Sequence, residues 1–366
     1  MKYVDEFRNA KAVEGYSRLI KKTISRPCVI MEICGGQTHA IMKYGIEEML
    51  PETITVLHGP GCPVCVTPLE MIDKALAIAS HDDVIFTSFG DMLRVPGSKD
   101  DLLSMKANGY DIRMVYSPLD AVNIAAMNKD RKIVFFAVGF ETTAPANAMA
   151  VVEAKRRGLK NFSILCSHVL IPPAIETLLS NQETKIQAFL APGHVCTVMG
   201  YEEYIPLSEK YKIPIIITGF EPVDILQGMY MAVRQLEEKR NEVENQYGRV
   251  VSKYGNIPAK ELLKTVFCTV DCKWRGIGTI PLSGFKLKDF YSEFDAEKIF
   301  GLEDIEVNES PSCIAGEVLR GIKKPPECSV FGSLCTPEHP YGAPMVSSEG
   351  VCAAYFHYKK HEKATG

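Results

Sequence analysis

The chain has 366 residues, enough for two or more domains of roughly 100–200 residues each. Its 41 basic and 45 acidic residues leave a formal charge of −4, which excludes the basic excess of a nucleic-acid binder, and 46% hydrophobic with 23% charged residues excludes a largely disordered or fibrous chain. The unusual number is twelve cysteines.

The opening segment, Met1–Arg8, is charged and leads into an amphipathic pattern, without the apolar stretch and small-residue cleavage site of a secretion signal. No run approaches the roughly 18 apolar residues of a membrane span. The expected location is the cytoplasm, with neither membrane nor nucleic acid as partner. In that reducing compartment clustered cysteines are more often metal ligands or redox thiols than disulfide staples.

Eight short β-branched or apolar runs follow: Cys28–Ile33, Ile54–Leu57, Val84–Thr87, Ile112–Tyr116, Ile133–Val138, Phe162–Cys166, Ile186–Leu190 and Pro214–Thr218. Between them lie segments with helical three- and four-residue spacing, such as Leu69–Ser80, Asp100–Asn108, Pro145–Arg157 and Pro172–Ser180. Alternation of strand and helix predicts an α/β fold with parallel sheets covered by helices. The runs could close one barrel; two doubly wound parallel-sheet domains, 1–125 and 126–255, are the preferred reading. The pattern Asp224–Tyr247 predicts a long helix. After Gly255 the alternation fades, so 256–366 reads as a separate Cys-rich, loop-rich module.

Polar turns end the strands: CGGQTH (34–39), HGPGCPVC (58–65), SFGD (88–91), GFETTAP (139–145), PGHV (192–195) and GFEP (219–222). Ligands of open α/β sheets bind at the carboxyl ends of strands, where these turns fall. None matches GxGxxG or GxxxxGK[ST], so no dinucleotide or P-loop site is expected.

Cys62-Pro63-Val64-Cys65 precedes Thr67-Pro68-Leu69-Glu70, a capping-box pattern that predicts a helix directly after Cys65, its positive end favouring thiolate. A redox or metal role stands against a zinc knuckle, which would need a second ligand pair. Cys34, at a strand end before two glycines and with His39 five residues on, is expected to face a cleft and form a soft-donor pocket with the CxxC. Cys28 and Cys166 lie within strands and read as core. Cys313, Cys328, Cys335 and Cys352, spaced Cx14Cx6Cx16C, suit a [4Fe–4S] cluster better than zinc, with no metal as the third reading. Ser347–Gly350 before Cys352 could cap a short helix. Cys196 reads as a filler; Cys268 and Cys272 are either strand residues or an accessory redox pair.

The segments CGGQTHAI (34–41), HGPGCPVCVTP (58–68), GFETTAPA (139–146), APGHV (191–195), GFEPVDIL (219–226), WRGIGTIPLSG (274–284) and MVSSEGVCAAY (345–355) resemble, in order and over essentially the whole chain, the HypD family of [NiFe] hydrogenase maturation factors. The resemblance implies two α/β domains and a C-terminal [4Fe–4S] domain. It implies a complex with the chaperone HypC that carries iron while two cyanides and one carbon monoxide are attached. The cyanides would come from HypE, itself loaded by the carbamoyltransferase HypF. By the same resemblance Cys34 holds the iron, Cys62 and Cys65 are a redox pair beside it, and Cys313, Cys328, Cys335 and Cys352 hold the cluster. One departure bears on Cys313: the family pattern has a cysteine directly before GEVL, where this chain has Ala315. His39, Glu141, His194 and Glu221 are candidates for ordering ligands or moving protons. The expected function is therefore a cofactor-assembly scaffold with redox activity; the runner-up is an iron–sulfur-dependent disulfide reductase, and a zinc-stabilised binding module is the third reading.

Overall fold

The computed structural model describes residues 4–302, 307 and 312–359. Residues 1–3 of the opening segment and 303–306, 308–311 and 360–366 of the expected third domain lie outside the described residues.

The predicted runs form strands β1 (Cys28–Glu32), β2 (Ile54–His58), β3 (Val84–Ser88), β4 (Ile112–Met114), β5 (Lys132–Gly139), β6 (Phe162–His168), β7 (Ala188–Pro192) and β8 (Ile215–Thr218). They build two open parallel sheets and no barrel. One sheet has the order β4-β3-β5-β6. The other is β2-β1-β7-β8-β9, where β9 is Val243–Asn245. This pairing corrects the division of strands at about residue 125. The sheet begun by β1 and β2 is completed by β7, β8 and β9, and the four-stranded sheet is inserted between them. Helices cover both sheets, as parallel strands require.

Side-chain alternation in β5 shows why its run is continuous. Ile133, Phe135 and Ala137 enter one buried cluster while Val134, Phe136 and Val138 enter another, so both faces of the sheet are apolar. The long helix stops at Glu237, short of the expected Tyr247. The charged stretch after it offers little to bury, Lys239 turns at φ 55°, and β9 then joins the sheet edge.

The region after Gly255 is more regular than its composition suggests. A helix, Ile257–Val266, leads into an antiparallel hairpin, β10 (Phe267–Trp274) and β11 (Gly278–Leu287). Leu263, Val266, Phe267 and Leu287 pack into the core of the four-stranded sheet. Residues 312–359 are loops with short helical turns, ending in the helix Val351–Tyr358. Val351, Ala354 and Tyr355 join the core of the five-stranded sheet. Among the described residues no helix is long and apolar enough to cross a membrane.

Candidate functional site

In the five-stranded sheet the chain runs outward in opposite senses from β1 and β7, which are neighbours. Such a reversal opens a crevice at the carboxyl ends of the two strands. Cys34 follows β1 and His194 follows β7, and Cys34 Sγ lies 3.4 Å from His194 Nδ1. The turns after β2 and β8 flank them with Cys62-Pro63-Val64-Cys65 on one side and Phe220 on the other. The Phe220 ring sits 5.4 Å from that of His194, centroid to centroid.

Glycines bring these turns together. Gly35 N–H donates to the Gly61 carbonyl at 2.8 Å, and Gly59 N–H to the Glu32 carbonyl at 2.8 Å. A methyl on Gly61 would overlap the Cys34 amide, so this close crossing demands glycine. Gln37, fully buried, donates to Ala191 O at 3.2 Å and to Thr218 Oγ1 at 2.5 Å, tying the helix Gly35–Lys43 to the tips of β7 and β8.

Cys62 and Cys65 form a disulfide with Cα atoms 5.2 Å apart, and both are buried. Cys62 itself caps the four-residue turn Pro63–Val66, and the longer helix starts only at Leu69. The expected capping box is absent. Thr67 Oγ1 donates to Pro63 O at 2.8 Å, and Glu70 pairs with Lys273. Burial pushes the Cys34 thiol well up; the Gln37 N–H pulls it down, against Glu32 and Glu349. Cys34 is thus covered rather than open to a cleft, and a bound cation must displace its proton. Burial holds His194 down, at about 4, so its imidazole is neutral at physiological pH and keeps a lone pair.

The other candidates are dispersed. His39 faces the C-terminal segment: its Nδ1 is 3.0 Å from Ser348 O and its ring meets Tyr358 edge-on. Glu221 forms a two-point ion pair with Arg8 and caps the helix Pro222–Glu237. Glu141 accepts Ile171 N–H at 2.9 Å; its second oxygen has no partner, and burial raises it to about 8. It lines a separate cleft of about 760 Å³ beside Leu170, Phe267 and Cys268. Cys196 is fully buried, in keeping with a filler, and Cys28 is buried core. Cys166 is half-buried and donates to Phe285 O at 3.2 Å. Cys268 and Cys272 are free thiols on β10.

In the C-terminal segment, Cys352 is raised well above the ordinary thiol range by burial and then by Cys313, Cys335 and Cys328, so the four thiols lie within electrostatic reach of one another. Tyr341 N–H donates to Cys335 Sγ at 3.3 Å. Gly350, rather than Ser347, caps the helix carrying Cys352. Among the described residues no three His, Cys, Asp or Glu side chains are gathered closely enough to hold a single metal ion. This segment packs on the crevice: a methyl on Gly35 would stand 2.8 Å from Glu349 Cβ and 3.2 Å from Cys62 Cβ.

Sequence reasoning missed one group. Glu32, fully buried at the end of β1, accepts Cys34 N–H at 2.8 Å, the Thr38 hydroxyl, and His58 Nδ1 at 2.7 Å. The signal was available as a carboxylate inside an apolar strand and a histidine opening the HGPGC turn.

Fold and crevice together define a class: a doubly wound α/β protein with a thiol–imidazole pair at a sheet's switch point and a disulfide at the next strand tip. Residues 11–359 match the family described as "HypD: Hydrogenase formation hypA family". The hydrogenase maturation factor HypD2 of Bradyrhizobium diazoefficiens is 47% identical over 368 residues, 98% of this chain and 97% of its own length. The HypD of Escherichia coli is 45% identical over 370 residues, 99% of both chains, and that of Azotobacter vinelandii 44% over 373, covering 100% and 98%. The chain belongs to the HypD family of hydrogenase maturation factors.

Proposed function

We propose that this maturation factor holds iron on Cys34, in a cytoplasmic complex with HypC, while cyanide delivered by HypE and carbon monoxide are attached to build the Fe(CN)2(CO) centre of [NiFe] hydrogenases. The observation that carries the reading is the 3.4 Å pairing of Cys34 with neutral His194 at the switch point, beside the Cys62–Cys65 pair. A thiolate with an imidazole offers iron an electron-rich, soft donor set, suited to back-donation into cyanide and carbon monoxide. The glycine crossings and the Glu32 carboxylate hold the Cys34 backbone in place.

Release of cyanide from a thiocyanate-type carrier takes two electrons: R–S–CN becomes R–S⁻ and CN⁻. The reduced Cys62/Cys65 dithiol supplies that pair by closing to the disulfide and giving up two protons. Cys313, Cys328, Cys335 and Cys352 would hold a [4Fe–4S] cluster. The electrostatic influence of Cys313, Cys335 and Cys328 on Cys352 supports this reading, as do the apolar neighbours Met345 and Ala353 and the Tyr341 N–H on Cys335. Bound there, the cluster would supply electrons one at a time. The burial of both Cys62 and Cys65 favours this reading over a disulfide reductase with bulky external substrates.

Anaerobic purification with iron, zinc and sulfide analysis tests it. Iron with acid-labile sulfide is expected, together with a mononuclear iron fraction that vanishes in Cys34→Ala. Zinc without sulfide would contradict it.

A further inference from the structure

Hydrogen bonds continue from the crevice into the protein. His58 lies buried between two carboxylates, with Nδ1 2.7 Å from Glu32 Oε1 and Nε2 3.4 Å from Glu47 Oε1. Its ring meets Tyr355 edge-on, centroids 5.8 Å apart. Glu47 in turn pairs with Lys359 at the end of the helix that carries Cys352, and Lys324 approaches it to 4.0 Å. On the other side Glu32 holds the Cys34 amide and the Thr38 hydroxyl. One connected path therefore runs from the Cys34 amide through Glu32, His58 and Glu47 to the C-terminal helix. His58 belongs to the same turn as Gly59 and Gly61, which cross the Cys34 loop. Its bond to Glu32 thus locks the Cys62–Cys65 turn to the Cys34 turn.

We propose that His58 is a positioning residue: through Glu32 it fixes the Cys34 backbone relative to the Cys62–Cys65 pair, and through Glu47 it ties that geometry to the C-terminal helix. The charge balance explains why a histidine is needed. A buried carboxylate without a partner is costly, and two of them facing one neutral group would be more so. An imidazolium satisfies both with two N–H donors pointing in opposite directions, which no other side chain of this size does. Removing it leaves the Glu32 carboxylate without its imidazole partner and free to recoil from the site, and the Cys34 amide loses its fixed acceptor.

The proposal rests on iron being held at Cys34, and its test separates the two. The full-length protein, with Cys62–Cys65 oxidised, is treated with iodoacetamide, and alkylation of Cys34 is followed by mass spectrometry against Cys196, an equally buried thiol on the helix Gly193–Met199 that carries His194, which reports general opening. Iron(II) affinity is measured in parallel by chelator competition. In His58→Gln, Cys34 should react about tenfold faster relative to Cys196, and Cys34-dependent iron should bind about tenfold more weakly, the range found when a group orienting a metal ligand is lost. Glu47→Gln keeps the Glu32 bond and should give a smaller change in the same direction, which preserves the test if His58→Gln folds poorly. An unchanged Cys34-to-Cys196 ratio in both variants overturns the proposal, as does an equal acceleration of both thiols. If iron binds Cys34→Ala as tightly as the parent, the iron reading falls while the alkylation ratio still decides the role of His58.

Discussion

Gly35 is where the helix that follows Cys34, the disulfide turn and the C-terminal segment touch, and Gly35→Ala asks whether that contact matters. An added methyl would lie 2.8 Å from both Glu349 Cβ and Glu349 O and 3.2 Å from Cys62 Cβ. Carbon atoms pack at roughly 3.5–4.0 Å, so the Glu349 turn must retreat by about 0.7 Å or more. Two effects compete. Alanine is the better helix former at the first position of Gly35–Lys43, worth up to about 1 kcal/mol. Overpacking against backbone costs about 1–3 kcal/mol. The clash should win by roughly 1–2 kcal/mol, which for domains of this size lowers Tm by several degrees. Gly15→Ala is the control: its added methyl meets nothing within 4 Å in the helix Ala10–Thr23, so it should be neutral or slightly stabilising. Thermal unfolding followed by circular dichroism reads both, and the yield of mononuclear iron reads the site. A Gly35→Ala protein with the melting temperature and iron content of the Gly15→Ala control would refute the packing of the C-terminal segment on the crevice.

Further outcomes follow from the charges and thiols. His58 is buried, which lowers it, but the Glu32 and Glu47 bonds outweigh this and raise it to about 9; Glu47 is held at about 2, burial opposing and His58 and Lys359 prevailing. The His58 contribution is complete below about pH 6.5 and lost as pH rises through 9, whereas that of Glu47 is complete above about 4.5 and lost as pH falls through 2. Urea unfolding should therefore show the deficit of His58→Gln largest between pH 5 and 6.5, shrinking as pH rises from 6.5 to 9 and smallest beyond that; a constant deficit contradicts the network. Glu141, raised to about 8 by burial, binds its proton more tightly when folded, so it costs stability above its ordinary range. Glu141→Gln should gain stability at pH 9 relative to pH 5 in the same assay, and equal effects at both would refute the unpaired burial. Cys62→Ser/Cys65→Ser should keep its iron–sulfur absorbance but fail to accumulate the cyanide-ligated centre; normal yield would exclude the dithiol as electron source.

Strands were legible in the sequence because β-branched runs buried on both faces leave an uninterrupted apolar signature, as in Ile133–Val138. Their partners were not. β1 bonds β7, about 160 residues away, and nothing local to Val29 or Phe189 records that choice. The hairpin β10–β11 escaped notice because much of β10 is exposed, so Cys268 and Thr269 carry no apolar rhythm. At the site, strand-tip position drew attention to Cys34, Cys62 and Cys65 with His39, and separately to Glu141, His194 and Glu221; the structure places His194 beside Cys34. Position alone could not separate His194, which meets the thiol, from His39. Both sit on helices that follow strands of the same sheet, and they face different ways: His39 turns toward Ser348 and Tyr358. Glu221 shows the opposite problem, a motif carboxylate whose partner, Arg8, lies 213 residues away.

The proposed function puts the iron on Cys34 while its ligands are attached. Infrared spectroscopy of the protein co-purified with HypC, from cells competent for hydrogenase maturation, tests it most directly. Cyanide and carbon monoxide stretches are expected on the complex, and they should disappear in Cys34→Ala with the iron–sulfur absorbance retained. The same bands at full intensity in Cys34→Ala would contradict it.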